Sequence, residues 1–292
     1  AETLAEGLSE YGGVIEYGAN VTKILTRKTA EGEKQAYAVK LSDGREIRGR
    51  TIVSNATRWT TFQKLLPVEE LPESEKLFLT RYRPSPSFLS IHMAVRADVI
   101  PAGEDCHHIF LDDWALLEAS EGVLFVSIPS LLDDTLCPAG THIVHVFTPY
   151  WMEPWKGLGP EEYERRKEEV AERLLQRMEV RWPGMKDATI FREVGSPRTH
   201  RRFLAREDGT YGPIPAKRLN GMLGMPLSRT EIDGLYCCGD STFPGQGVNA
   251  VALSGTFCAH RIGMDLGLEP RIPFGDDAFK GFLFKVTELG GS

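Results

Sequence analysis

The residues whose chemistry and spacing stand out lie near the end of the chain, where Gly239 and Asp240 are followed by Pro244, Gly245, Gln246, Gly247 and Val248. A carboxylate accepts hydrogen bonds from ribose or ribityl hydroxyls, and the free N–H groups at a helix start favour partial negative charge. Side by side, the two suit a flavin or nucleotide cofactor. The local pattern places them so. Residues 235–238 form a short apolar run that fits a buried strand, Gly239 lets the chain turn as it leaves the sheet, and Asp240 then stands at the strand's carboxyl end. From Val248 to about residue 266 there is no proline and Ala, Val, Leu and Met recur, which predicts a helix whose first N–H groups face whatever Asp240 faces. The plainer alternative is a glycine-rich strand-to-helix turn with a surface aspartate.

Residues 245–250 formally match the dinucleotide fingerprint G-x-G-x-x-A. That fingerprint also requires a second strand ending in an acid about 20 residues on, inside a βαβ unit. Here the offset falls on Asp265, still within the predicted helix, and the next apolar run is broken by Pro270 and Pro273. The ordinary fingerprint reading is therefore rejected for this segment.

The elements that must position this turn begin with a helix over residues 3–11, ended by Gly12-Gly13, and continue with strands over 21–25, 36–41 and 46–53. Helices over 57–66 and 72–81 follow, and then extended runs at 87–95, 106–111, 123–128, 141–148 and 188–194 around a helix at 161–180. Strands, a helix and a strand without βαβ alternation imply a mixed or antiparallel sheet. The long helix mixes charges at i,i+4 spacing, a solvated face, and offers Val170, Leu174, Leu175 and Met178 as its buried stripe. Tyr150, Trp151, Met152 and Trp155 form an apolar cluster that is either the edge of a core or a contact with membrane or an apolar substrate.

With 292 residues the chain holds one large domain or two ordinary ones. A net charge of −7 argues against a nucleic-acid surface, and no apolar run approaches the length of a membrane span. Five cysteines, Cys106, Cys137, Cys237, Cys238 and Cys258, are an odd number without metal-ligand spacing and read as small apolar residues in a reducing compartment. The histidines lack a metal-binding pattern, so no metal is expected. Arg198 and His200 belong to a basic cluster that offers positive charge to a flavin or phosphate, or else forms structural ion pairs. No G-x-S-x-G is present, so nucleophilic serine chemistry is not supported and no catalytic side chain is named.

The segment from Gly239 to Val248, with Phe243-Pro-Gly-Gln-Gly-Val inside it, resembles the C-terminal flavin-binding motif of the phytoene desaturase and flavin amine oxidase superfamily. It is most similar to that of the carotenoid (prolycopene) isomerase branch. Gly195-Ser-Pro-Arg-Thr-His200, Asp208-Gly-Thr-Tyr211-Gly-Pro and Leu223-Gly-Met-Pro226 resemble the same branch. The resemblance implies that Asp240 contacts the ribityl and pyrophosphate groups of FAD, that the backbone at Gly247 and Val248 meets the flavin's pyrimidine edge, and that Val21 makes backbone contact with adenine. Asn55 lies in the matching segment that packs on the FAD domain, and with Gly239, Pro244, Gly245 and Gln246 it is expected among the cofactor-binding residues. Read without the family, Val21 is an ordinary core valine.

The expected fold is α/β (α+β): a Rossmann-like FAD-binding domain from residues 1–66 and 206–292, lacking its N-terminal βαβ opening, and a substrate domain with a mixed or antiparallel sheet at 67–205. The glycine-rich opening is expected in a longer protein of which this chain resembles the C-terminal part. The resemblance implies isomerisation of poly-cis-lycopene towards the all-trans form, with FAD needed in its reduced state and no net redox change. Implied partners are an apolar polyene and a membrane contacted peripherally, with no nucleic acid. Implied locations are a plastid membrane in a eukaryote, or the thylakoid or cytoplasmic membrane periphery in a bacterium. Asn249 departs from the apolar residue usual in the branch, which keeps open a carotenoid desaturase, a retinoid saturase or a non-catalytic polyene-binding protein.

Overall fold

A computed structural model describes residues 2–67, 69, 71–117, 119–216 and 224–268; Leu223, Pro270 and Pro273 lie outside them. No helix of the described residues is long and apolar enough to cross a membrane. The chain divides into two compact units, one drawn from residues up to Arg83 and from Gly212 onward, the other comprising Pro84–Tyr211.

The first unit opens with helix α1 (Glu2–Glu10) and the strands β1 (Val21–Lys28), β2 (Lys34–Leu41) and β3 (Glu46–Arg48), which form a three-stranded antiparallel sheet. One continuous strand is expected over 46–53, but the structure breaks it. Gly49 donates its N–H to Tyr37 O at 3.0 Å, and β4 (Ile52–Ser54) then leaves this sheet for another partner. That partner is β12 (Leu235–Cys237), which pairs with β4 in parallel, Leu235 opposite Ile52 and Cys237 opposite Ser54. Helices α2 (Arg58–Gln63) and α3 (Glu73–Arg81) lie between, followed by the short strand β5 (Tyr82–Pro84). Thr57 caps α2, its hydroxyl accepting from Thr60 N. Ile24, Ala36, Phe62, Leu66, Ile232, Leu235 and Cys237 form this unit's apolar core.

The second unit is built on a five-stranded antiparallel sheet of β6 (Ser87–Arg96), β7 (His107–Leu111), β8 (Val123–Ser127), β9 (Thr141–Tyr150) and β10 (Thr189–Gly195), in the order β10-β6-β9-β8-β7. Period-two alternation explains its sidedness. Leu89, Ile91, Met93 and Val95 of β6 and Val144 and Val146 of β9 join one core with Val170, Leu174, Leu175 and Met178 of α4 (Pro160–Met178), the stripe expected from spacing. The short helix α5 (Met185–Ala188) adds Met185. Of the apolar cluster before α4, Tyr150, Met152 and Trp155 are buried in this core while Trp151 is exposed, so most of the cluster is a core edge.

Helix α6 (Pro197–Leu204) is not foreseen from apolar periodicity. It is made by a capping box, in which Ser196 accepts from Arg198 N and Thr199 accepts from Ser196 N, with Pro197 in the first turn. The chain then enters the first unit again through β11 (Pro213–Pro215), which pairs with β5, and ends its described course in helix α7 (Val248–Asp265).

Candidate functional site

Sequence and structure agree on the turn between β12 and α7. Cys238 donates its N–H to Ser54 O at 3.0 Å, so Asp240 emerges directly beyond the β4–β12 ladder. Gly239 takes φ +103, and a Cβ there would run into the side-chain oxygen of Asn55. Two residues 184 positions apart are thus brought into contact by the parallel pairing, and only glycine admits that contact. The Gly239 N–H itself donates to Ser254 Oγ of α7 at 3.1 Å, which fixes the helix behind the turn.

The walls of the turn are polar and buried. Thr242 N donates to Gly239 O at 3.1 Å and Gly245 N to Thr242 O at 3.0 Å, while Phe243 N reaches Pro226 O at 2.9 Å. The Phe243–Pro244 peptide is cis. Ser241 Oγ accepts from Arg58 N at 3.0 Å, and the buried Arg58 side chain pairs with Glu75 and donates to Leu227 O at 2.6 Å. Burial pushes the Glu75 carboxyl above its ordinary range. Burial likewise pushes the Cys237 thiol up to about 12.

Gly212, with φ +100, closes one side: a Cβ there would lie 3.2 Å from Asp240 O and 3.4 Å from Gln246 Cβ. Asp240 itself is buried, whereas Gln246, Gly247, Val248 and Asn249 are exposed, and nothing stands within 4 Å of where a Cβ on Gly247 would be. The buried Asp240 and the exposed start of α7 both border Gly212, the helix through Gln246 just before its cap.

The structure sets Asn55 against Gly239, and both Asp240 and Gln246 against Gly212; Val21 stands at the first position of β1, opposite Leu41. Gly212 and Arg58 are additions. Gly212 lies in a quoted motif, but only its positive φ and the contact with Asp240 show why glycine stands there. The signal for Arg58 was weaker still, since a lone arginine in a helical segment reads as a surface residue.

In the second unit, the sheet face opposite α4 carries a polar row across every strand: Glu193, His92, His145, Ser127 and His107 are successive cross-strand neighbours. The His92 and His145 rings meet edge to face at 4.7 Å, and His107 Nδ1 lies 2.9 Å from Ser127 Oγ. Beside this row runs an aromatic one, Phe125 stacked on Phe147 at 4.9 Å, with Phe88 edge-on to Phe147 and to Tyr211. His200 Nδ1 is 2.7 Å from Tyr211 Oη, and burial, with His92 nearby, holds the His200 and His145 imidazoles below their ordinary value. Arg198 lies over the Tyr163 ring at 4.4 Å and donates to Leu158 O at 3.2 Å.

Comparison with known proteins gives this geometry its family. The prolycopene isomerase of Arabidopsis thaliana is 53% identical over 285 residues, 97% of this chain and 47% of the relative. That of Daucus carota is 50% identical over 280 residues, 95% of this chain and 45% of the relative. The chain thus spans about half the length of these relatives. An oxidoreductase from Methanosarcina mazei aligns with a TM-score of 0.53 at 19% identity, covering 89% of this chain and 53% of its own. A putrescine oxidase redesigned in its cofactor binding aligns with a TM-score of 0.57 at 11% identity, covering 89% and 52%. These two speak for the fold, the α/β flavin amine oxidase-like one with an antiparallel sheet in its second unit. The flavin containing amine oxidoreductase family matches residues 1–263, and a chain with that match, that fold and a carboxylate-and-helix turn of this geometry belongs to it.

Proposed function

We propose that this chain is part of a flavin-dependent enzyme that isomerises poly-cis-lycopene towards its all-trans form. The observation that carries the reading is the turn from Gly239 to Val248, where a buried carboxylate stands next to the open start of α7. The site fits a flavin: Gly212 and Gly239 hold the backbone close around Asp240, and the space at Gly247 is clear of side chains. Asp240 would hold ribityl and pyrophosphate-side hydroxyls, the N–H groups at Gly247 and Val248 the pyrimidine edge, and Val21 the adenine through its backbone. Asn55 would act by fixing Gly239. Bound in its reduced form, the flavin supplies electron density that transiently lowers the π order of a polyene. The rest falls to the protein, which binds an apolar chain, orients it and excludes water.

The first unit is assigned to cofactor binding and Pro84–Tyr211 to the substrate, with boundaries 17 residues after the expected 66 and six after the expected 205. The names of the plant relatives, prolycopene isomerase, chloroplastic, support both the reaction and a plastid location. Peripheral membrane contact is part of the proposal, supported by Trp114, Leu116 and Leu117, which are exposed on one loop of the second unit. The test is turnover by the full-length protein with its flavin reduced anaerobically. Poly-cis-lycopene should give a product of unchanged mass and altered absorption over many turnovers, while the oxidised flavin does little. A product two hydrogens lighter or heavier, formed in step with flavin reduction or oxidation, would replace the isomerase by a desaturase or saturase.

A further inference from the structure

Arg58 fastens the Asp240 turn twice, once through its backbone and once through its side chain. At the start of α2 its amide N–H donates at 3.0 Å to Ser241 Oγ, on the residue that follows Asp240. Its guanidinium pairs with Glu75 of α3 and donates to Leu227 O at 2.6 Å. Leu227 belongs to the wall behind the turn. The carbonyl of its neighbour Pro226 accepts from Phe243 N at 2.9 Å, and Met225 Sδ lies 3.4 Å from where a Cβ on Gly245 would stand. One buried side chain therefore holds residues 225–227 where they meet Phe243 and Gly245.

The ion pair is poorly built for stability alone. Arg58 Nε and Glu75 Oε2 are buried with no hydrogen-bond partner among the described residues, and an unmet buried polar atom is destabilising. Two apolar side chains of similar volume would join α2 to α3 at least as well. They would not reach a carbonyl. The directional contact with Leu227 O, one residue from the acceptor of Phe243, is what the guanidinium adds.

We propose that Arg58, oriented by Glu75, is a positioning residue for the flavin, holding residues 225–227 against the turn and so keeping the turn in its binding geometry. This rests on the reading of the turn as the flavin site. Neither side chain is assigned a contact with the cofactor; both act through Leu227, Pro226 and Phe243. Without the guanidinium, residues 225–227 are released at Leu227 and the turn samples other geometries, so that part of the binding free energy goes into ordering it.

The test is the double variant Arg58→Met with Glu75→Leu in the full-length protein, which removes both charges together and keeps the Arg58 amide for Ser241. The flavin-free variant should melt no lower than the wild type. FAD affinity, from fluorescence titration of the apoprotein, should nevertheless fall by about tenfold, the value of one lost directional hydrogen bond. Glu75→Gln keeps an acceptor on the guanidinium and should recover most of that affinity. Hydrogen exchange in the flavin-free double variant should quicken in peptides covering residues 224–230 and 241–247 and stay unchanged in β1 and β2. A double variant that binds FAD as the wild type does, or one that melts low and exchanges faster throughout the unit, would overturn the proposal. If Asp240→Asn leaves FAD binding untouched, the flavin reading of the turn fails instead, and the exchange pattern still decides whether Arg58 positions it.

Discussion

In Pro84–Tyr211, one apolar cluster runs from Leu89 to Val194 and encloses Trp155 and Trp182, both fully buried. In the other unit the apolar core is thin, and the space around the turn is filled instead by Ser54, Thr57, Arg58, Thr61, Glu75, Asp240, Ser241, Thr242 and Ser254, all buried. The first arrangement draws on the hydrophobic effect, which is non-directional and tolerant. The second depends on directional contacts, such as Ser54 Oγ to Thr61 Oγ1 at 2.7 Å, and on a buried ion pair, Arg58 with Glu75. On the proposed reading, in which this unit holds the cofactor, apolar packing is given up to keep directional groups in place. The cost is fragility wherever one member of the network is removed.

Two substitutions test that contrast at its strongest. Trp182→Ala empties a core position whose indole N–H donates to Glu104 Oε2 at 3.1 Å, and about 3–5 kcal/mol of stability should be lost. Glu75→Ala removes no comparable volume, yet it leaves Arg58 buried and uncompensated, and about 3–5 kcal/mol should again be lost. Hydrogen exchange resolved by peptide separates the two cases. The first should loosen β6, β9 and α4, the second α2, α3 and the chain around Leu227. Should Glu75→Ala prove as mild as a surface change, the polar interior is not what holds this unit.

A second prediction narrows the comparison to the turn. Asp240→Asn keeps the volume beside Gly212 while it removes the charge and turns one acceptor oxygen into a donor, and the flavin-free protein should lose less from it than the flavin complex does. Flavin affinity should fall by the value of a charge-assisted hydrogen bond, about 1.5–3 kcal/mol, measured by titration of the full-length apoprotein. Equal loss of melting temperature in the flavin-free protein would make Asp240 a structural residue and not a ligand.

The two units also differ in how much of them the sequence displays. Every strand of the five-stranded sheet and the apolar stripe of α4 follow from alternation and helical spacing, because one apolar core dictates both patterns. The turn at Asp240 is legible for another reason, its glycines and proline being punctuation with few conformational alternatives. The break between β3 and β4 is not legible. Residues 46–53 alternate well enough for one strand, and only the distant partner β12 draws Ile52 away, its N–H going to Gly234 O at 2.7 Å. Helix α6 escapes for the opposite reason, since its structure rests on a cap and carries almost no buried apolar face. Arg58 and Glu75 are each unremarkable in sequence; their meaning lies in a contact across 17 residues.

The smallest expected effect concerns pH, where the units should respond with opposite sign. His145 and His200 are held below the ordinary imidazole value, first by burial and then by His92, on a face that also holds Glu193, Ser90, Ser127 and Tyr211. For such a base the unfolded chain binds protons more readily than the native one. Its contribution is present above about 6.5 and is lost as pH falls through the depressed native values. Glu75 runs the other way: with its native value raised by burial, its contribution is present below the ordinary 4.5 and is lost as pH rises through the raised value. Half-buried carboxylates such as Glu172, held low by Lys186 and Arg192, add their own loss on acidification, at pH below 4.5 and so outside the imidazole window. Hydrogen exchange between pH 7.5 and 5.5 should therefore accelerate in β6 and β9 beyond the change in intrinsic rate and leave α3 protected. His260 on α7 shares the imidazole sign, so the decisive variant is His92→Phe, which removes a like-charge neighbour from both His145 and His200 and keeps a ring on the strand. It should flatten the pH dependence of β6 and β9 without touching α7. An unchanged slope in that variant would leave burial alone as the cause and deprive the imidazole row of any collective behaviour.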